Sequence, residues 1–183
     1  MDKGYLFILI GAIFSARLFI NLPSELMFWW SRLTFFGYIM ISAGLRLISG
    51  TDEELRRAQL FNFITLITQV VLSWGFGRGG VLGLAINILH AFSSLCIFFW
   101  LLKSEYMWSP SLSKKTDLTM YSVIAVIFLA LRVVLMLPIF SIISPSLLLS
   151  LVDILRFVNI LYYGILIFIL VKLYNATRRF PWS

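Results

Sequence analysis

Cysteine, histidine and charge are all scarce in this chain of 183 residues. One cysteine, Cys96, excludes an intramolecular disulfide, a thiol-disulfide relay and a structural zinc site built on cysteines. One histidine, His90, excludes bis-histidine haem ligation within the chain. No cofactor and no metal centre is expected. Charged residues are 13% of the sequence, about half the usual share of a soluble domain, so an ordinary water-facing surface cannot be assembled.

What is present is apolar: 61% of residues are hydrophobic, against roughly 45–50% in soluble domains. A bilayer span takes about 20 apolar residues, so six spans use about 120 and leave about 60 for all loops and tails. That arithmetic excludes a soluble catalytic module, a nucleotide-binding domain and a DNA-binding domain within the chain. The expected fold class is an all-α integral membrane protein, a compact bundle of six transmembrane helices forming one transmembrane domain over residues 1–183. The spans read as 4–22, 26–48, 58–74, 81–102, 118–138 and 146–173. Turn chemistry marks the breaks: Asn21, Pro23 and Ser24, then the glycine-rich run 75–80, then the segment from Pro138 to Pro145. Thr51 and Glu54 match a capping box, which starts the third helix ahead of the membrane.

The formal net charge of +7 is read as topology rather than as nucleic-acid binding. Lys3, Arg46, Arg56, Arg57, Lys103, Lys114, Lys115, Lys172, Arg178 and Arg179 fall on one side, and the opposite loops hold only Arg78. Basic loops stay in the cytoplasm, so the N-terminus and the C-terminus are both expected there, in a bacterial cytoplasmic (plasma) membrane. The first span lacks a small-residue cleavage site and is read as retained. Membrane lipids are the expected partners, together with a partner membrane protein or a homo-oligomer. A weak repeat of the hairpin 4–48 in 118–174 is traced by Arg17 before Pro23 and Arg132 before Pro138. Arg32 before Phe35-Phe36-Gly37 and Arg156 before Tyr162-Tyr163-Gly164 extend it. Shared apolar composition is the other account of that echo.

Four arginines lie inside the spans: Arg17, Arg32, Arg132 and Arg156. A charge near a helix centre costs at least about 2.5–3.5 kcal/mol on insertion, so it faces a bundle interior, a watery cavity or a partner. At 1.5 Å per residue the first three lie roughly 7–9 Å from their outer helix ends and Arg156 roughly 15 Å. Asp153 is the one acid at comparable depth, three residues before Arg156 and on its helical face, so Arg156 is expected to form an internal ion pair with it. Glu25 lies nearer the outer surface. Guanidinium groups bind phosphate or carboxylate through paired hydrogen bonds, which points to an outward-facing, arginine-lined pocket for an anionic ligand. A lipid phosphate or a small acid fits, for uptake, flipping or sensing. Simple snorkelling of Arg17, Arg32 and Arg132 to headgroups is the bland reading.

Two polar stripes have helical spacing: Asn62, Thr65, Gln69 and Ser73 in the third span, and Gly83, Asn87, His90 and Ser94 in the fourth. In lipid these groups need partners, so the stripes are expected to join helices by hydrogen bonds. Asn87 and His90 would otherwise form the floor of the arginine pocket. Gly11, Ala12 and Ala16 make a small-residue patch on which another helix can approach. No paired carboxylates suit acid-base chemistry, and no catalytic residue is assigned. Two alternatives to ligand binding stay open. One is a non-catalytic subunit or regulator whose arginines pair with a partner membrane protein. The other is an enzyme on a lipid-linked phosphate, using His90 or Asp153.

Two resemblances follow from these residues. Arg78-Gly79-Gly80 with His90 and Cys96 resembles the peptide-processing membrane cysteine proteases of quorum-sensing systems, which implies a Cys-His dyad. Six positions on one helix turn those side chains about 120° apart, which removes the dyad. By helix count and Ala12-x-x-x-Ala16 the chain also resembles the substrate-capturing components of bacterial vitamin uptake systems, although it lacks their long outer loop. That resemblance implies ligand capture for uptake.

Overall fold

The structure, a computed structural model, describes residues 2–16, 24–50, 52–74, 80–108, 112–136 and 145–179. The described residues form six α-helices and no strand: α1 (Asp2–Ser15), α2 (Ser24–Ile48), α3 (Glu53–Ser73), α4 (Gly80–Trp108), α5 (Leu112–Met136) and α6 (Pro145–Arg179). Each helix packs on the next, and α6 packs back on α1, so the six close into a ring of antiparallel neighbours.

The helices outrun the apolar stretches at the basic end. α3 starts at Glu53, α4 continues to Trp108, α5 starts at Leu112 and α6 continues to Arg179. A helix satisfies its own backbone, so nothing ends it where the apolar run stops, provided charged side chains can carry it into water. The cap of α3 corrects the expected capping box. Asp52, not Thr51, is the N-cap, its Oδ1 accepting from the backbone N–H of Glu54 at 2.8 Å and of Leu55 at 3.5 Å. Thr51 lies outside the described residues.

Hydropathy is less generous than the expected six spans. Among the described residues two stretches are long and apolar enough to cross a membrane, Val81–Glu105 and Leu149–Asn175, and Lys3–Ser15 is apolar but shorter. The shortfall has local causes. α3 spends part of its length on Asn62, Thr65, Thr68 and Gln69, and the residues that would lengthen α1 lie outside the described set.

The closest packing joins α1 to α2. A Cβ added at Gly11 would lie 2.5 Å from the Gly37 carbonyl oxygen, and one added at Gly44 would lie 2.5 Å from the Gly4 carbonyl oxygen. Real side chains never approach backbone so closely, so Gly11, Gly37 and Gly44 admit only glycine at this helix separation. Ile8 and Ile41 fill the seam between the glycine pairs, both fully buried. Gly11 of the small-residue patch is therefore used within the chain. Ala12 and Ala16 are also buried, and the Tyr163 hydroxyl of α6 donates to the Ser15 carbonyl beside them at 3.3 Å.

α5 meets α6 by different chemistry. Tyr121 Oη lies 2.9 Å from Tyr162 Oη and donates to the Leu95 carbonyl of α4 at 2.9 Å. Phe128 stacks on Tyr162 with ring centroids 5.2 Å apart. The echoed glycines sit in unlike surroundings: Gly37 is buried against α1 and Gly164 is exposed.

Gly37→Leu is expected to destabilise the protein by about 1–3 kcal/mol through overpacking of the α1–α2 seam. Ala43→Leu, on the exposed side of the same helix, should change stability by no more than about 0.5 kcal/mol. Thermal unfolding in lipid nanodiscs compares them, and equal losses would contradict the seam.

Candidate functional site

Polar side chains collect in three places. The first is the α3–α4 seam. A side chain buried between helices has only the neighbouring helices to hydrogen-bond with, so polar residues three and four apart gather on the shared face. Asn62, Thr65, Thr68, Gln69, His90 and Ser93 are all buried. Thr65 Oγ1 lies 2.8 Å from Ser93 Oγ, and Thr68 Oγ1 lies 3.0 Å from His90 Nδ1. Asn62 Nδ2 donates to the Tyr38 carbonyl of α2 at 3.2 Å, which ties α2 to the same seam. The Tyr38 ring meets His90 edge-on, with centroids 5.8 Å apart.

Asn62 and Thr65 of the α3 stripe and His90 of the α4 stripe thus make the helix-joining hydrogen bonds expected of them. The stripes are not wholly interfacial. Asn87 is half-buried and its amide donates to the Gly83 carbonyl one turn earlier at 2.9 Å. Ser73 is exposed and Ser94 half-buried, each donating to a carbonyl of its own helix. Thr68 and Ser93, which the stripe reading omitted, supply two of the bonds across the seam.

The second place is the basic end of the ring. Ser104 Oγ donates to Asp52 Oδ2, so the residue that caps α3 also fastens the end of α4. Lys103 Nζ lies 3.1 Å from Glu54 Oε1. Lys103 Nζ and the Arg57 guanidinium sit 4.5 and 4.7 Å from the centroid of the Trp100 ring, a cation–π arrangement that also shields the ion pair. The Tyr5 hydroxyl of α1 donates to Glu105 across the ring. Lys172 of α6 pairs with Asp117 of α5 at 2.6 Å. Reading these residues only as orientation signals missed their mutual pairing. The available signal was the spacing of Trp100 and Lys103, which puts both on one helical face.

The third place is the opposite end of α6. Arg156 Nη1 lies 2.7 Å from Asp153 Oδ1, one helical turn away. The expected pair forms, but on the outer surface of the bundle: the Asp153 side chain is 67% exposed and that of Arg156 36%. Arg32 of α2 is also exposed. Arg17 lies outside the described residues, and Arg132 lies in α5 with its side chain outside the described set. The expected ligand-binding residues whose side chains are described lie on three helices. His90 and Asn87 are on α4, Asp153 and Arg156 on the outside of α6, and Arg32 on the outside of α2.

No known protein family, no curated protein and no solved structure matches this chain. The likeness to vitamin-capturing components accordingly rests on helix number and Ala12-x-x-x-Ala16 alone. Among the described residues no group of three or more His, Cys, Asp or Glu side chains has the geometry of a metal site.

The α3–α4 seam gives a direct expectation. Thr65→Val and Ser93→Ala should be non-additive, with a coupling of about 0.6 kcal/mol and no more than about 1.7 kcal/mol, the range for hydrogen bonds between membrane helices. A double-mutant cycle on unfolding in mixed micelles measures it. Strict additivity would remove this hydrogen bond as a link between the helices.

Proposed function

We propose that this chain is an integral membrane protein whose six helices all cross the bilayer, and that it works as a non-catalytic membrane subunit docking on a protein partner through α6. One observation carries the membrane part: along the middle of α3 the side-chain polarity is inside out. On α3, Asn62 is fully buried while Phe63 next to it is 61% exposed, and Leu60 and Ile67 are exposed with it. In water that arrangement would strand apolar area and bury amides and hydroxyls at a cost. In a bilayer both assignments are favourable, and the polar stripe that lowers the hydropathy of α3 never meets lipid. Large apolar side chains are exposed on all six helices, Phe36, Val81, Val126 and Phe157 among them.

The subunit part rests on the ion pair on the outside of α6. An exposed carboxylate and guanidinium at membrane depth are expensive against hydrocarbon, and covering them with a protein of matching charge removes that cost. The hydrogen bonds of His90 to Thr68 and of Ser93 to Thr65 join α3 to α4, which weighs against His90 as an acid-base group of an enzyme.

A second reading keeps an anionic ligand, a lipid phosphate or a small acid, for Arg17, Arg32 and Arg132. It is favoured by the sequence positions of these arginines, each near a loop on the side opposite the basic loops. Native mass spectrometry of the protein released in lipid discs from its own membrane separates the readings. The subunit reading predicts a stoichiometric protein complex that survives Arg17→Ala with Arg132→Ala. An anionic adduct on a single chain, lost in that double variant, would select the ligand reading instead.

A further inference from the structure

α6 carries a continuous exposed face. Asp153, Phe157, Ile160, Gly164, Phe168 and Val171 recur at intervals of three and four and are all exposed, so they form one stripe along the helix. Near its middle a Cβ added at Gly164 would meet nothing within 4 Å, so a second helix has room to come close there. At the outer end the stripe carries both signs of charge, Asp153 and Arg156, three residues apart. Asp153 lies four residues, about 6 Å, inside the apolar stretch Leu149–Asn175.

We infer that this stripe is the interface of a homodimer, in which Asp153 of each copy pairs with Arg156 of the other. Copies inserted in one bilayer share an orientation, so a two-fold axis along the membrane normal sets their α6 helices parallel. Equal residue numbers then lie at equal depth, and the offset between Asp153 and Arg156 is about 4.5 Å along the axis, well within an arginine's span. The two contacts are reciprocal, as an isologous interface demands. Within one copy the two charges already pair at 2.7 Å, and a second copy brings the same two charges in matching positions, so the two pairs join into one reciprocal network of four. The inference rests on the subunit reading above and names the partner.

A charge-swap pair tests it. Asp153→Arg leaves a copy with two arginines at the patch, and Arg156→Asp leaves one with two aspartates. Each variant should lose self-pairing, with a dimeric fraction lowered about tenfold, measured by pull-down between differently tagged copies in native lipid discs. Co-expressed, the two variants should pair with each other at the wild-type level, because the complementary contacts return in the mixed dimer. That recovery also shows that both variants fold. Self-pairing of either variant at the wild-type level, or no recovery in the mixture, overturns the interface. Wild type in stoichiometric complex with a different protein, lost in either variant, overturns the homodimer and leaves the subunit reading standing. Wild type recovered as a bare single chain overturns both.

Discussion

A helix bundle with an apolar exterior has one governing constraint: each polar side chain that cannot reach water must find its partner inside. The α3–α4 seam meets most of that constraint, with the buried Asn62 Oδ1 and Glu54 Oε2 left without a hydrogen bond. Asp52 with Ser104, Glu54 with Lys103, Arg57 against Trp100, Thr65 with Ser93 and Thr68 with His90 follow one antiparallel register. Sliding α3 by one residue would turn Asn62, Thr65 and Gln69 toward the surround and bring Phe63 inward. The register is set by the positions of the polar residues more than by the shape of the apolar ones.

The other contacts of the ring then divide the remaining work. Glycine pairs let α1 and α2 touch backbone to backbone, where dispersion and close packing replace hydrogen bonds. Tyr121, Tyr162 and Tyr163 use their hydroxyls on neighbouring helices while their rings fill the space between α4, α5, α6 and α1. At the basic end, charges that would be costly in lipid are collected into pairs and onto an indole ring. The Asp153–Arg156 pair departs from this economy, since it sits on the outside. That departure is why α6 rather than an internal pocket carries the functional proposal.

Six helices, their approximate limits and the polar stripe of α3 were legible in the sequence, because composition and 3.6-residue periodicity act along one helix at a time. Gly11 announced a close helix contact for the same reason. What was not legible depended on two helices at once. Nothing in the spacing of Gly37 and Gly44 says that Gly11 and Gly4 lie opposite them. Thr51 and Glu54 fit a capping pattern, yet Asp52 takes the cap because its carboxylate also reaches Ser104 of another helix. The helical spacing of Asp153 and Arg156 foretold their pairing but not the direction in which the pair points, which is fixed by how α6 rotates to bury Val158, Asn159, Tyr162 and Leu166.

The inside-out polarity of α3 is the claim on which this account stands, and spin labels placed singly along 59–73 measure it most directly. In membranes, labels at Leu60, Phe63 and Ile67 should be accessible to oxygen, which concentrates in hydrocarbon, and closed to a water-soluble nickel reagent. Labels at Asn62, Thr65 and Gln69 should be closed to both. Strong access of the nickel reagent at Phe63 and Ile67 would contradict the account, because the apolar face of α3 would then be meeting water.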